Sequence, residues 1–372
     1  MKQSCIDING IYAVLDKVLL PNEAIFVVCG NSVKHMGIYT YLKNLEKKVS
    51  ITYFTDFSPN PSYESVVSGV RLFQVSKAKV ILAIGGGSAM DVAKCIKLFS
   101  NMNPEQSYLE QQVIPNDFQL IAMPTTAGTG SESTKYAVIY LNAVKQSVTD
   151  DSIVPSTILF DPSTLNTLPD SVRGASMLDA LSHAIESYWS INSTNESKEL
   201  SKKAIREILE NKEAYLSNTE AGNKAMLKAA NIAGQAINIT QTTAGHAMSY
   251  KLTSLYGLQH GFATAVVDAE LWPWMVKNIN HCIDSRGQQY LEKTFCELAV
   301  MFGGTNVATG IQEYQKIVNA LISMKDIVPT AEEYTKLRTS VNQKRLKNNP
   351  VQLDEQDIDK IYHNIFGGQN ES

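Results

Sequence analysis

The chain's 372 residues, 44% hydrophobic and 19% charged, are too many for one ordinary core and exclude an intrinsically disordered protein. A formal net charge of −4 supplies no basic field, which argues against nucleic acid as a partner. Five scattered cysteines (Cys5, Cys29, Cys95, Cys282 and Cys296) without a CxxC pair fit reduced thiols in a cytoplasm and exclude a disulfide framework.

The chain opens on MKQSCIDING, with no long apolar run behind its lysine, so no signal peptide is expected. No stretch approaches about 18 apolar residues, so no membrane span is expected either. Ala24 to Cys29, Val49 to Phe54, Lys79 to Ile84 and Gln119 to Met123 read as strands, mostly followed by helix-period stretches. Such alternation predicts a parallel sheet covered by helices. Tyr136 to Leu141 and Thr157 to Phe160 add two β-rich pieces, closed by Asp161-Pro162. From Ser171 onward helical periodicity dominates. The expected organisation is an α/β domain over 1–168 and an all-helical domain over 169–372.

Gly85-Gly86-Gly87-Ser88 follows a strand and opens a helix read from Ala89 to Leu98. Glycines there let the backbone approach a pyrophosphate, which free N–H groups of the helix then hold. An ordinary strand-to-helix turn reads the same way, and the spacing is not GxGxxG. The segment Pro124 to Glu132 also follows a strand and offers Thr125, Thr126, Thr129 and Ser131 as donors. Two donor-rich loops at the ends of parallel strands favour a nucleotide crevice over a pair of polar surface loops.

In the helical half, Asp179 and His183 lie four apart in SMLDALSHAIESY, on one helix face. His246 and His260 stand in AGHAMSYKLTSLYGLQHGFA. A lone His183 would more often be a satisfied core histidine. One carboxylate with three imidazoles, in a chain of six histidines, instead suits a divalent transition metal.

GGGSAMDVAK (85–94), PTTAGTGSE (124–132), DALSHAIESY (179–188) and GLQHGFATA (257–265) together resemble the iron-dependent (group III) alcohol dehydrogenase family. The match runs in order over most of the chain and includes Pro59-Asn60-Pro61 and Asn349-Pro350. The resemblance implies an α/β dinucleotide-binding domain followed by an all-α metal-binding domain, a dehydroquinate synthase-like architecture. It implies Asp179, His183, His246 and His260 as metal ligands, with Fe²⁺ foremost and Zn²⁺ or Mn²⁺ as alternatives. It also implies cofactor contacts at Asn60, Gly86, Gly87, Ser88, Asp91, Thr125, Thr126, Thr129, Thr134 and Lys145.

Two departures bear on chemistry. Where many members carry Asp after the first strand, this chain runs Cys29-Gly30-Asn31-Ser32-Val33-Lys34. That resembles NADP-using relatives, so NADP(H) is expected over NAD(H), with Gly30, Asn31 and Ser32 near the 2′-phosphate. Where many members carry a proton-passing histidine four residues after the third ligand, this chain has Tyr250. A tyrosine, with an ordinary pKa of about 10, is a poor base near neutrality but can donate or relay a proton.

Within the family, SYWSINSTNES (187–197), TTAGHAMSYKLTS (242–254) and RLKNNPV (345–351) look most like the phosphonoacetaldehyde reductase branch. The expected reaction is NAD(P)H-linked reduction of phosphonoacetaldehyde to 2-hydroxyethylphosphonate. Thr242, Thr243, Arg345, Ser193 and Thr194 are then candidate contacts to a small anionic aldehyde. Alternatives are a sulfoacetaldehyde reductase, a general short-chain alcohol dehydrogenase, and the dehydroquinate synthase-like and sugar-phosphate dehydrogenase proteins that share the architecture. A non-catalytic nucleotide or metal sensor is a reading of another class. The assembly considered is a homodimer, with neither nucleic acid nor membrane as partner.

Overall fold

A computed structural model describes residues 3–7, 10–21, 23–142, 144–341 and 343–367. The chain forms two compact units. The first comprises Met1–Leu168 with Ser217–Asn231, and the second Pro169–Leu216 with Ile232–Ser372. A single division at residues 168/169 is therefore corrected. The stretch 217–231 lies in the helical part of the sequence but groups with the α/β unit, a long-range association that local periodicity does not carry.

In the first unit, β1 (Ser4–Asp7), β2 (Ala24–Cys29), β3 (Ser50–Phe54), β4 (Val80–Gly85), β5 (Gln119–Pro124) and β8 (Thr157–Phe160) make one sheet, in the order β1-β8-β5-β4-β2-β3. Every pairing in it is parallel. Between β5 and β8, β6 (Tyr136–Leu141) and β7 (Val144–Thr149) form a separate antiparallel ribbon. The sheet is parallel because its central strands are unbroken apolar runs that need cover on both faces. Side chains alternate along each strand. Phe26, Val28, Ile81 and Ala83 pack with α3 (Tyr63–Ser76) and α4 (Gly87–Phe99), whereas Ile25, Val27, Leu82 and Ile84 pack with α1 (Ile11–Leu19) and α2 (Gly37–Leu45). Strand order reverses about β2 and β4, and in such sheets ligands bind beyond the carboxyl ends of strands at that reversal.

The second unit is helical among its described residues: α5 (Asp170–Trp189), α6 (Asn195–Leu216), the later part of α7 (Glu220–Thr240), α8 (Ala244–Tyr256), α9 (His260–Lys277), α10 (Gln288–Met301), α11 (Val307–Asn319), α12 (Ala331–Thr339), α13 (Gln343–Leu346) and α14 (Glu355–Ile365). Buried almost all round from Arg173 to Trp189, α5 is the central helix, packed by α6, α9 and α10. Capping boxes start α11, α12 and α14, satisfying N–H groups that a helix start leaves unpaired. No helix among the described residues is long and apolar enough to cross a membrane.

Candidate active site

Two glycines bring together the helices that carry the candidate ligands. A Cβ at Gly261, next to His260, would lie 1.9 Å from the Ala175 carbonyl oxygen and 2.8 Å from Asp179 Cβ. A Cβ at Gly245, next to His246, would lie 2.0 Å from Asp268 Oδ1 and 2.7 Å from Glu186 Oε1. Only glycine permits such backbone approach, so α9 and α8 can close on α5.

The result is a cluster around one carboxylate oxygen. Asp179 Oδ1 stands 3.9 Å from His183 Nε2, 3.6 Å from His246 Nε2 and 4.0 Å from His260 Nε2. A tetrahedral ion with bonds near 2.1 Å would separate its ligand atoms by about 3.4 Å, so the spacing is a few tenths of an ångström wide of that. Asp179 Oδ1 and His246 Nε2 are buried and find no hydrogen-bond partner among the described residues. Buried polar atoms seldom stay unpaired, and a carboxylate with neutral imidazoles is a donor set for a divalent transition ion. The residues fit such an ion. Asp179, His183 and His246 are buried, while the His260 side chain is 36% exposed. The cluster therefore opens at His260, as a catalytic rather than a sealed structural site requires. Burial pushes the Asp179 carboxyl up, but His183 and the other two imidazoles outweigh it and hold the group well below the usual carboxylate range.

Glu186 is a candidate site residue that the motif reading missed. It is wholly buried and accepts from His246 Nδ1, from the His246 backbone N–H at 3.0 Å, and from both the backbone N–H and the hydroxyl (2.8 Å) of Thr243. With its Nδ1 proton held there, His246 presents Nε2 to the cluster. Burial raises the Glu186 carboxyl, yet His246 and Thr243 bring it below its ordinary value. For His246, burial disfavours the charged ring, but Glu186 and then Asp179 raise it to about 10, so an ion entering the site displaces a proton. The available signal was spacing: Asp179, His183 and Glu186 fall at i, i+4 and i+7 on one helix face. Glu186→Ala is expected to weaken metal affinity by about 10- to 100-fold, as loss of a ligand-orienting carboxylate does. Competition with a chelator measures it, and unchanged affinity would refute the orienting role.

The candidate substrate contacts divide. Thr243 is fully buried and accepts from Trp189 Nε1 at 2.9 Å while donating to Glu186, so its hydroxyl supports His246 instead of facing a substrate. Ser193 is held by Arg286, which donates to its carbonyl at 2.7 Å and its hydroxyl at 2.9 Å. Thr194 caps α6, its hydroxyl accepting from the Ser197 backbone N–H at 3.1 Å. Arg345 and Thr242 do come together, with Arg345 Nη1 donating to Thr242 Oγ1 at 2.8 Å, four residues before His246. Asn349 is buried, donating to the Val351 carbonyl at 2.7 Å. The Tyr250 ring stacks on the His260 imidazole, centroids 5.5 Å apart and planes 10° from parallel.

In the first unit the candidate cofactor residues sit at strand ends. Gly86 precedes α4, whose helix begins at Gly87, two residues earlier than the sequence suggests. A Cβ at Gly86 would lie 3.1 Å from the Thr126 side chain, and one at Gly87 3.1 Å from Thr129, so the two loops pack face to face. Gly86, Gly87, Ser88, Thr126 and Thr129 remain partly exposed beside the free N–H groups of α4. Thr125 and Thr134 are buried. Asp91 accepts from Ser131 Oγ at 2.9 Å and from the Val138 backbone N–H at 3.0 Å. Buried Lys94 donates to Ser131 Oγ, Thr134 Oγ1 and the Tyr136 carbonyl. Burial lowers its pKa to about 8, against the pull of Asp91. Asp91, Lys94 and Thr134 thus anchor the threonine loop from within. Asn60 is exposed at φ 57°, Lys145 lies part-buried on β7, and Gly30, Asn31 and Ser32 follow β2.

A doubly wound sheet with donor-rich strand ends and a helical carboxylate–imidazole cluster, carried by one chain, are the parts that a nucleotide-using metalloenzyme requires. Residues 9–162 match the family model for iron-containing alcohol dehydrogenase, and residues 174–366 match the C-terminal model of the Fe-containing alcohol dehydrogenase family. The chain belongs to the iron-containing alcohol dehydrogenase family. It is 29% identical over 317 residues to phosphonoacetaldehyde reductase of Streptomyces viridochromogenes, covering 80% of this chain and 79% of that protein. It is also 29% identical over 340 residues to aldehyde-alcohol dehydrogenase 2 of Entamoeba histolytica, covering 82% of this chain but 38% of the longer relative. The fold is shared with sulfoacetaldehyde reductase from Bifidobacterium kashiwanohense, solved in complex with NAD⁺, at a TM-score of 0.86 and 24% identity over 99% of this chain and 98% of that one.

Proposed function

We propose that this enzyme reduces a small anionic aldehyde to its primary alcohol with NADPH, phosphonoacetaldehyde to 2-hydroxyethylphosphonate being the favoured pair. The observation that carries the reading is the placement of Arg345 on Thr242, four residues before the metal-ligand candidate His246. A planar guanidinium can bond two oxygens of a phosphonate at once. The likeness to a phosphonoacetaldehyde reductase supports it.

Asp179, His183, His246 and His260 would hold a divalent ion, Fe²⁺ in first place. When bound, the ion supplies Lewis acidity to a carbonyl and the nicotinamide supplies hydride. The chain's own residues do the rest. Glu186 keeps the Nδ1 proton on His246, Arg345 binds the substrate's anion, and Tyr250, stacked on His260, is the hydroxyl assigned to passing a proton to the product oxygen. NADPH oxidation across propanal, butanal, phosphonoacetaldehyde and sulfoacetaldehyde tests the proposal. Faster turnover of the neutral aldehydes would reject an anionic substrate, and preference for sulfoacetaldehyde would move the assignment to the sulfonate.

Cofactor preference has its own test at Gly30. The residue has φ −82°, and a Cβ there meets nothing nearer than Ser32 Oγ at 3.9 Å, so a side chain is tolerated. No carboxylate stands there to repel a 2′-phosphate. Gly30→Asp is expected to shift the NADPH/NADH ratio of kcat/KM toward NADH by about tenfold or more, the worth of a charge-assisted contact. A wild-type enzyme that already prefers NADH several-fold would refute the reading.

A further inference from the structure

Three segments that the sequence sets apart, 187–197, 242–254 and 345–351, meet in the helical unit at one buried side chain, Asn348. Its amide nitrogen donates to the Thr242 carbonyl at 3.0 Å and to Gln241 Oε1 at 3.3 Å. Its amide oxygen accepts from Asn192 Nδ2 at 3.1 Å, and its backbone carbonyl accepts from the Ile191 N–H at 3.1 Å. The Thr242 carbonyl can only accept, so it fixes which end of the amide faces it.

The same turn carries Arg345. The Asn348 backbone N–H donates to the Arg345 carbonyl at 3.1 Å, and both side chains reach Thr242. Arg345 Nη1 donates to its hydroxyl at 2.8 Å and Asn348 to its carbonyl at 3.0 Å. One hydrogen bond to the end of a long, flexible side chain leaves the chain beneath it free to swing, whereas two from one turn fix the turn itself. The bond from Asn348 to Thr242 is buried, while Asn192 is exposed, so water competes for the Asn192 bond and the Thr242 bond carries more of the hold. The flanks are tied to a common loop. The Ile283 N–H donates to the Pro350 carbonyl at 2.9 Å, and Arg286 Nη2 donates to the Ser190 carbonyl at 2.9 Å.

We infer that Asn348 is a positioning residue for substrate choice: it clasps the Arg345 turn to Thr242 and holds the guanidinium where it meets the anion of the aldehyde. The inference rests on the reading of Arg345 as the anion's contact. Asn348 acts through Arg345 and not on the reacting atoms. It also gives the three segments one task, since each supplies one side of the clasp.

The test compares wild type, Asn348→Ala, Arg345→Ala and the double variant. Each is assayed on propanal and on phosphonoacetaldehyde or sulfoacetaldehyde, whichever wild type turns over faster, and melting temperatures report folding. Asn348→Ala should lower the anionic-over-neutral ratio of kcat/KM by about tenfold, chiefly through KM for the anionic aldehyde. In the Arg345→Ala background the same change should move that ratio by less than about twofold, because the group it positions is already gone. An unchanged ratio in Asn348→Ala would overturn the role, since a merely structural asparagine lowers both aldehydes alike. An equal further loss in the double variant would also overturn it, since Asn348 would then act independently of Arg345. If Asn348→Ala does not fold, Asn192→Ala carries the comparison, with a fall of about two- to threefold expected and no change overturning the inference. Arg345→Ala that leaves the ratio unchanged overturns the substrate reading itself. A selective loss there with none in Asn348→Ala overturns only the part assigned to Asn348.

Discussion

Replacing His183 or His260 with alanine should remove stoichiometric metal and lower turnover by roughly three orders of magnitude, the several kcal/mol that a Lewis acid contributes at a developing alkoxide. The two sites differ in setting. His183 is buried and stacks on His246, centroids 4.5 Å apart, so its loss also leaves a void among the ligands. His260 is the more exposed ligand, and its loss lets water take the vacated position, so some residual metal is expected there. Metal analysis and NADPH binding on the same preparations check both halves, because dinucleotide affinity should persist if the first unit is intact. Full metal content with normal turnover in both variants would reject the ligand assignment.

Arg345→Ala should lower kcat/KM for phosphonoacetaldehyde by about 2–4 kcal/mol, roughly 30- to 1000-fold, as expected for a charge-assisted contact in a partly buried place. Propanal, with no anion to bind, should be almost unaffected. Measuring both aldehydes on one preparation separates the outcomes. An equal loss on both would locate the damage at the metal cluster or in folding, and no loss on either would remove Arg345 from the substrate site.

Local chemistry explains which features the sequence made legible. The strands β2, β4 and β5 are apolar runs ending in turn residues, and the structure keeps them within a residue or so. Asp179 and His183 share a helix face by spacing alone. The Gly-rich loop reads as a strand-to-helix turn because glycine has few other uses there. What escaped depends on distant partners. The edge strand β1 is four residues long with two exposed, and β7 (VKQSVT) is largely polar, so neither stands out by pattern. Glu186 looks like any helix-forming glutamate until the start of α8 is laid against it. Thr243 and Ser193 read as free hydroxyl donors, and only the folded unit shows Trp189, Glu186 and Arg286 already using them. Asp268 shares the mostly apolar stretch AVVDAELW with Glu270, and pattern alone does not say that Asp268 is the one wholly buried.

Gly245 and Gly261 have a thermodynamic consequence. Each stands beside a histidine of the candidate ligand set and sets how closely two helices approach, so the spacing of that set belongs to the packed core and not to a flexible loop. An unfolded chain holds no such arrangement. Whatever free energy an ion gains on binding is therefore passed to the helical unit as resistance to unfolding, growing with the logarithm of ion concentration above Kd. The same coupling runs the other way. A core substitution that loosens α8 or α9 against α5 without touching any ligand weakens the hold on the ion, and damage to the fold and loss of the ion become one event.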